Sequence, residues 1–306
     1  MPRILHVPLI TLLVSLLVGC TLPGPLGPTP FTFPTPNLTL TAIFAPAVTL
    51  PPIAPTATPS ITPSESPAAT TPPPAASPTT ALPTATTGAS NTRPNGTPVT
   101  AALLTTPPTI DGDLSEWTTS AYPAGHIVHG AASWTGGSDL SAVFYAGWDA
   151  SNLYLAVRIT DDQFVQVSTG ATMYRGDIVE LQFDANLSGD FDQDTLSADD
   201  YQIGLSPGNF GGIPPEAYRW YPNALSGPLA TVDLQGAQTP QGWDLEVRLP
   251  WSVFGVSASG GSQFGLTLSV SDNDTPGTSA QQSMVSSVST RLHLDPTSWG
   301  TLILGQ

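Results

Sequence analysis

Between residues 109 and 306, apolar and polar side chains alternate in short runs. Leu153, Leu155, Val157 and Ile159 alternate with Tyr154, Ala156, Arg158 and Thr160. Val179, Leu181 and Phe183 alternate with Glu180, Gln182 and Asp184, and Leu245, Val247 and Leu249 with Glu246 and Arg248. Tyr201, Ile203 and Leu205 form another run, as do Phe264, Leu266, Leu268 and Val270, and Leu302 with Leu304 ends the pattern. Side chains two residues apart share one face of a strand, so each run predicts a strand with one buried face. Turn-forming clusters at 149–152, 206–212 and 259–262 separate the runs. No window of a dozen residues carries a helical stripe. Many half-buried strands joined by long loops predict an all-β domain over 109–306, a two-sheet antiparallel β-sandwich of jelly-roll-like form.

Composition changes the picture upstream. Of the 34 Pro residues, 22 lie between residues 21 and 108, among Thr, Ser and Ala, with Glu65 the single acid before residue 109. Such a chain favours polyproline II and cannot bury enough apolar surface to offset its entropy, which predicts a disordered stalk over 21–108. Residues 1–20 carry Arg3 and an apolar run over 9–18. That run is too short to span a bilayer, which takes about 20 residues, and suits a signal peptide. Its end, Leu17-Val18-Gly19-Cys20, resembles a bacterial lipobox, with Cys20 as the lipidated residue. The expectation is an extracytoplasmic protein at a bacterial cell surface, touching the membrane through its lipid anchor only. Cys20 is the sole cysteine, so no disulfide can form within the chain.

Charge narrows the function. All seven basic residues are Arg, and from residue 109 onward 22 acids face 5 Arg, a formal charge of −17. A Lys-free acidic domain excludes nucleic acid as a partner. Oxygen-bearing side chains concentrate at Asp184, Asn186, Ser188, Asp190, Asp192, Asp194 and Asp199, with Gly189 among them. Oxygen ligands at alternating positions predict a structural calcium site. The full EF-hand pattern is broken, because Thr195 stands where its bidentate Glu belongs. Asp272-Asn273-Asp274 is a second, shorter candidate. No nucleophile elbow, His-Glu-x-x-His or phosphate loop occurs, and no motif pairs an acid with a nucleophile, so the expectation is a noncatalytic domain.

Six segments in order resemble the family 9 carbohydrate-binding module and its relatives. They begin with the Ile-Asp-Gly-Asp-Leu-Ser-Glu-Trp motif ending at Trp117 and the strand after Trp148. Next come Tyr174-Arg175-Gly176-Asp177-Ile178-Val179-Glu180 and the Asp199-Asp200-Tyr201-Gln202 segment. The Gly242-Trp243-Asp244 strand and the Asp295-Pro296-Thr297-Ser298-Trp299 close complete the series. The resemblance implies a sandwich that binds polysaccharide or glycan ends between two tryptophans, with charged groups on the hydroxyls. It places the first aromatic at Tyr174 and the hydroxyl-binding carboxylate at Glu180, with Gln202 as a candidate amide. The second tryptophan has no counterpart in 282–290, and Trp220 with Tyr218 are the available substitutes. Trp117, Trp148, Trp251 and Trp299 are expected in the core, and Glu180, Glu246, Arg158 and Arg248 can equally be a paired polar sheet face. Two other readings stand beside sugar binding. One is a structural or interaction sandwich. The other is a haem-b redox subunit like a related sandwich group, for which the missing Lys leaves Met173 or Met284 with His126.

Overall fold

The computed structural model describes residues 91–306; the signal segment, Cys20 and most of the Pro-rich stretch lie outside the described residues. The alternating runs form strands: β1 (Val99–Leu103), β2 (Ala121–Ala124), β3 (His126–His129), β4 (Leu140–Trp148), β5 (Asn152–Asp161), β6 (Ile178–Asp184) and β7 (Asp200–Ser206). They continue with β8 (Glu216–Tyr221), β9 (Gly227–Pro228), β10 (Asp233–Thr239), β11 (Gly242–Pro250), β12 (Gln263–Asp272), β13 (Ser283–Ser286) and β14 (Gly300–Leu304). One layer runs β10-β11-β5-β4, with β2 beside β4. The other runs β14-β12-β6-β7-β8-β9, with β13 on β12 and β3 on β13.

The two layers are one sheet curled on itself, and β1 is the join. Val99, Thr100 and Ala101 pair with Leu302, Ile303 and Leu304 of β14, and Ala102 and Leu103 pair with Gly147 and Trp148 of β4. Both pairings are parallel, whereas every other strand pairing is antiparallel. Strand β1 falls inside the stretch that composition assigns to the stalk, so the folded domain begins before residue 109. Val99 and Ala101 are buried, a period-2 pattern diluted by the surrounding Pro and Thr. Upstream of β1, Arg93 is 2% exposed, its amide donates to Thr301 Oγ1, and Asn95 Nδ2 donates to the carbonyls of Thr297 and Trp299.

Side chains facing inward from both layers fill the core, among them Phe144, Leu155, Val157, Leu181, Leu245 and Leu268. Each such burial contributes about 1.5–3 kcal/mol. At one end, Phe183 stacks on Phe254 at 4.1 Å and Trp251 on Phe264 at 5.8 Å. Trp148, Trp251 and Trp299 are buried as expected. Trp117 is buried too, but in a separate cluster with Leu114, Tyr154 and Ala156 on the outer face of β4 and β5. Residues 110–117 strap across that face. The strap is fastened by Glu246, which is fully buried and accepts from the amides of Asp111 (3.0 Å) and Gly112 (2.8 Å) and from Trp117 Nε1 (2.7 Å). Gly112 has φ +85°, and a Cβ there would meet the backbone of Gly236 and Ala237 at 3.1 Å, so the strap needs glycine at this point.

Candidate functional site: a cleft on the outer face of the second layer

In β6 the alternation sends Val179, Leu181 and Phe183 into the core and Glu180 and Gln182 to the opposite face. Gln182 lies directly across from Gln202 of β7. Among the described residues, no strap covers this face. The loop before β14 leans over it instead: Arg291 donates through one guanidinium nitrogen to Glu180 Oε2 (2.8 Å) and through Nε to Gln182 Oε1 (3.1 Å). Gln202 Nε2 donates to the carbonyl of His293 and ties the loop to β7. Between loop and sheet lies a cleft of about 530 Å³, lined in part by Tyr174, Glu180, Gln202, Trp220, Arg291 and His293.

The aromatic side is set by the 3-10 turn Gly170–Arg175. Met173 is its buried anchor, and the carbonyl of Tyr174 accepts from Ser271 Oγ at 2.9 Å. Trp220 of β8 donates through Nε1 to the carbonyl of Ala171 at 2.9 Å. A Cβ on Gly204 would approach the Trp220 ring to 2.4 Å and Met173 Sδ to 2.6 Å, so glycine in β7 is what lets the indole lie down over the sheet. The Tyr174 and Trp220 rings are 6.2 Å apart and inclined at 80°, forming a corner and not two parallel walls.

Burial pushes the Glu180 carboxyl up, and the Arg291 guanidinium pulls it partly back. Burial, with Arg291 adding, pulls the His293 imidazole below its ordinary value. The cleft therefore presents one ion pair, amides and the imidazoles of His129 and His293 beneath an aromatic corner. That set can take several hydroxyls in hydrogen bonds and one apolar ring face in contact.

All four sequence candidates, Tyr174, Glu180, Gln202 and Trp220, come together here. Arg291 is the residue that sequence reasoning missed. It lies one position beyond the 282–290 window searched for a second tryptophan, and its signal was to be one of only five Arg after residue 109. The haem alternative does not assemble. Met173 is fully buried, and Met284 and His126 line different clefts.

The acidic loop differs from its expected form. Asp184, Asp190 and Asp199 bring carboxylate oxygens within 4.8 Å of one another. Asn186, Ser188, Asp192 and Asp194 are exposed, and neither Asp192 nor Asp194 joins that group of carboxylates. A tight turn, Gly189 N–H to Asn186 O at 2.7 Å, breaks the alternation on which convergence depended. Asp184 is fully buried and already paired with the Arg93 guanidinium at 2.8 Å. Asp190 Oδ1 and Asp199 Oδ2 are buried without a hydrogen-bond partner. Burial, then the charges of Asp184 and Asp190, push neighbouring Asp200 up to about 7. Two orphan carboxylate oxygens fit a hard cation, with Arg93 supplying part of the charge balance.

No curated protein matches the chain. Among solved structures, the fold is similar to a carbohydrate binding module family 9 domain from Caldicellulosiruptor kristjanssonii in complex with cellotriose. The identity is 18%, the TM-score 0.52, and the match covers 68% of this chain and 94% of that one. A family 9 module from the same organism in complex with glucose gives 19% identity and a TM-score of 0.52, covering 69% of this chain and 97% of that one. The family model described as carbohydrate family 9 binding domain-like matches residues 110–306, and the chain belongs to that family.

Proposed function

We propose that the domain binds sugar chains without catalysis, at the cleft between Tyr174, Trp220, Glu180, Gln202 and Arg291. The observation that carries this reading is the convergence of a carboxylate, a guanidinium and an amide beside two aromatic rings in one open cleft. Tyr174 or Trp220 takes the C–H face of a pyranose, while Glu180 and Arg291 hold its hydroxyls through charge-assisted bonds. Two solved family 9 structures hold cellotriose and glucose, which makes β-linked glucose oligomers the first probes. Cys20 anchors the protein by a lipid at the cell surface, and the Pro-rich stretch acts as the spacer. Calcium held by Asp184, Asp190 and Asp199 steadies the β6–β7 loop.

The test is affinity-gel retardation of the wild-type protein on immobilised glucans, with Tyr174→Ala and Glu180→Ala alongside. Retardation that both substitutions abolish supports the cleft. Retardation that survives both places binding elsewhere, and none on any glycan ends the sugar reading. The 80° ring corner favours one competitor, an interaction domain that binds no sugar.

A further inference from the structure

The cleft departs from the charge of the domain around it. From residue 109 onward, 22 acids face 5 Arg. Among the described residues that line the cleft, Glu180 is the single acid, beside Arg291, His129 and His293. Those imidazoles are two of the three that follow residue 109. Arg291 pairs with Glu180 at 2.8 Å, and His129 also bears on that carboxylate. Two acids on the same elements, Glu216 of β8 and Asp295 of the loop before β14, are engaged elsewhere. Glu216 accepts from the Gly170 amide at 2.9 Å, and Asp295 from the Thr297 amide at 3.0 Å.

The arginines are distributed just as unevenly. After residue 109, Arg158, Arg248 and Arg291 pair with Asp244, Asp233 and Glu180. Arg219 donates to the carbonyls of Leu225 at 2.9 Å and Val253 at 3.1 Å. Arg175 has no acid partner among the described residues. Its guanidinium lies 5.7 Å from the centre of the Tyr174 ring, and its Nε donates to the Tyr174 hydroxyl at 3.2 Å. The side chain is exposed, so its charge stands uncompensated beside the aromatic corner. Inside the cleft, Arg291 spends Nη2 on Glu180 and Nε on Gln182. Its Nη1 meets no protein acceptor among the described residues and is not one of the buried orphan atoms, so it can reach a ligand. The two imidazoles add N–H donors in either protonation state.

We propose that the cleft takes an acidic sugar, a pyranose ring bearing one carboxylate as in a uronic acid residue. This names a ligand class for the sugar reading of the cleft and rests on that reading. Arg291 Nη1 donates to the ligand carboxylate, and Arg175 supplies the charge that favours it at the rim. The Glu180–Arg291 pair is neutral as a unit, so the charge left over at this place is that of Arg175. A positive remainder in an acidic domain complements an anion and gains nothing from a neutral sugar. The aromatic corner keeps its part and takes the ring face. The domain also limits the ligand to few charges. Its formal charge of −17 repels a chain that is charged at every residue. A single carboxylate answers mainly to the charges within about 8 Å at physiological salt.

Calorimetric titration of the full chain compares glucuronate with glucose, which differ only at C6. A β-linked glucose disaccharide and its counterpart carrying one glucuronate form the second pair. The uronate of each pair is expected to bind about tenfold tighter than its neutral partner at low salt, the worth of one charge-assisted hydrogen bond. That preference is expected to shrink severalfold as salt rises toward about 0.5 M. Arg175→Gln is expected to cut it about two- to threefold and Arg175→Glu about five- to tenfold, the effect of one and two unit charges several ångströms away in water. Arg291→Lys keeps the charge, removes Nη1 and is expected to lower the preference about threefold or more. If Arg291→Lys does not fold, the exposed Arg175→Glu decides alone. Uronates that bind no tighter than their neutral partners overturn the proposal and leave the sugar reading standing. Binding of no sugar in either pair ends both. A preference that the folded variants leave intact also overturns the proposal.

Discussion

Glu246 and Glu180 occupy equivalent-looking places on opposite sides of the molecule. Each lies within a central strand, alternates with core residues and points to the outer face of its layer. Burial raises the carboxyl of both. What covers them differs. The 110–117 strap covers Glu246 with three N–H donors and buries it completely, so no ligand reaches it. Glu180 meets one guanidinium through Oε2, and its second oxygen has no protein donor among the described residues. A buried carboxylate becomes structural or functional according to how completely its neighbours saturate it, not according to its place in a strand.

Removing each carboxylate tests that contrast. The largest effect belongs to Glu246→Ala, which strands two buried amides and an indole N–H. It is expected to cost about 3 kcal/mol or more in urea unfolding, with unchanged glucan affinity in the folded fraction. Glu180→Gln reverses the pattern: stability within about 1 kcal/mol of wild type, and affinity for β-linked glucose oligomers down about 10–100-fold by calorimetry, the worth of one charge-assisted hydrogen bond. Equal losses of stability and of affinity in both variants would erase the distinction.

Acidity separates the two glutamates more finely. A carboxyl raised on folding contributes stability that is complete below its unfolded value, near 4.5, and is lost as pH rises through its folded value. Both therefore favour the fold on acidification. Ligand binding moves the other way, because protonating Glu180 breaks its pair with Arg291. Affinity is expected to fall with a midpoint above 4.5, and this midpoint vanishes in Glu180→Gln. The smallest effect is Arg158→Ala. Its partner Asp244 lies 3.1 Å away, but the Arg158 side chain is 52% exposed, so a change within about 1 kcal/mol and no change in binding are expected.

Period-2 alternation made the central strands legible, because one buried face is a local property. It made the four cleft residues legible only through the resemblance that aligned Tyr174 and Glu180. Strand β1 was hidden because five residues of pattern sit in a Pro-rich average. The Arg93–Asp184 pair joins residues 91 positions apart, which no local pattern records. The acidic loop was legible in composition but not in geometry: spacing gives the order of oxygens along the chain, but a turn at Asn186–Gly189 shapes which of them meet. Glu246 and Glu180 read alike because their difference lies in the segments that fold over them.

The parallel join at β1 has a mechanical consequence. A load applied upstream of residue 91 runs along β1, first through the buried Arg93 fastening and then into ladders shared with β14 and β4. Force directed along a strand shears its bonds together, whereas a hairpin pulled from its tip unzips one bond after another. A tension entering the domain at this end thus meets a riveted lap joint and not a zipper.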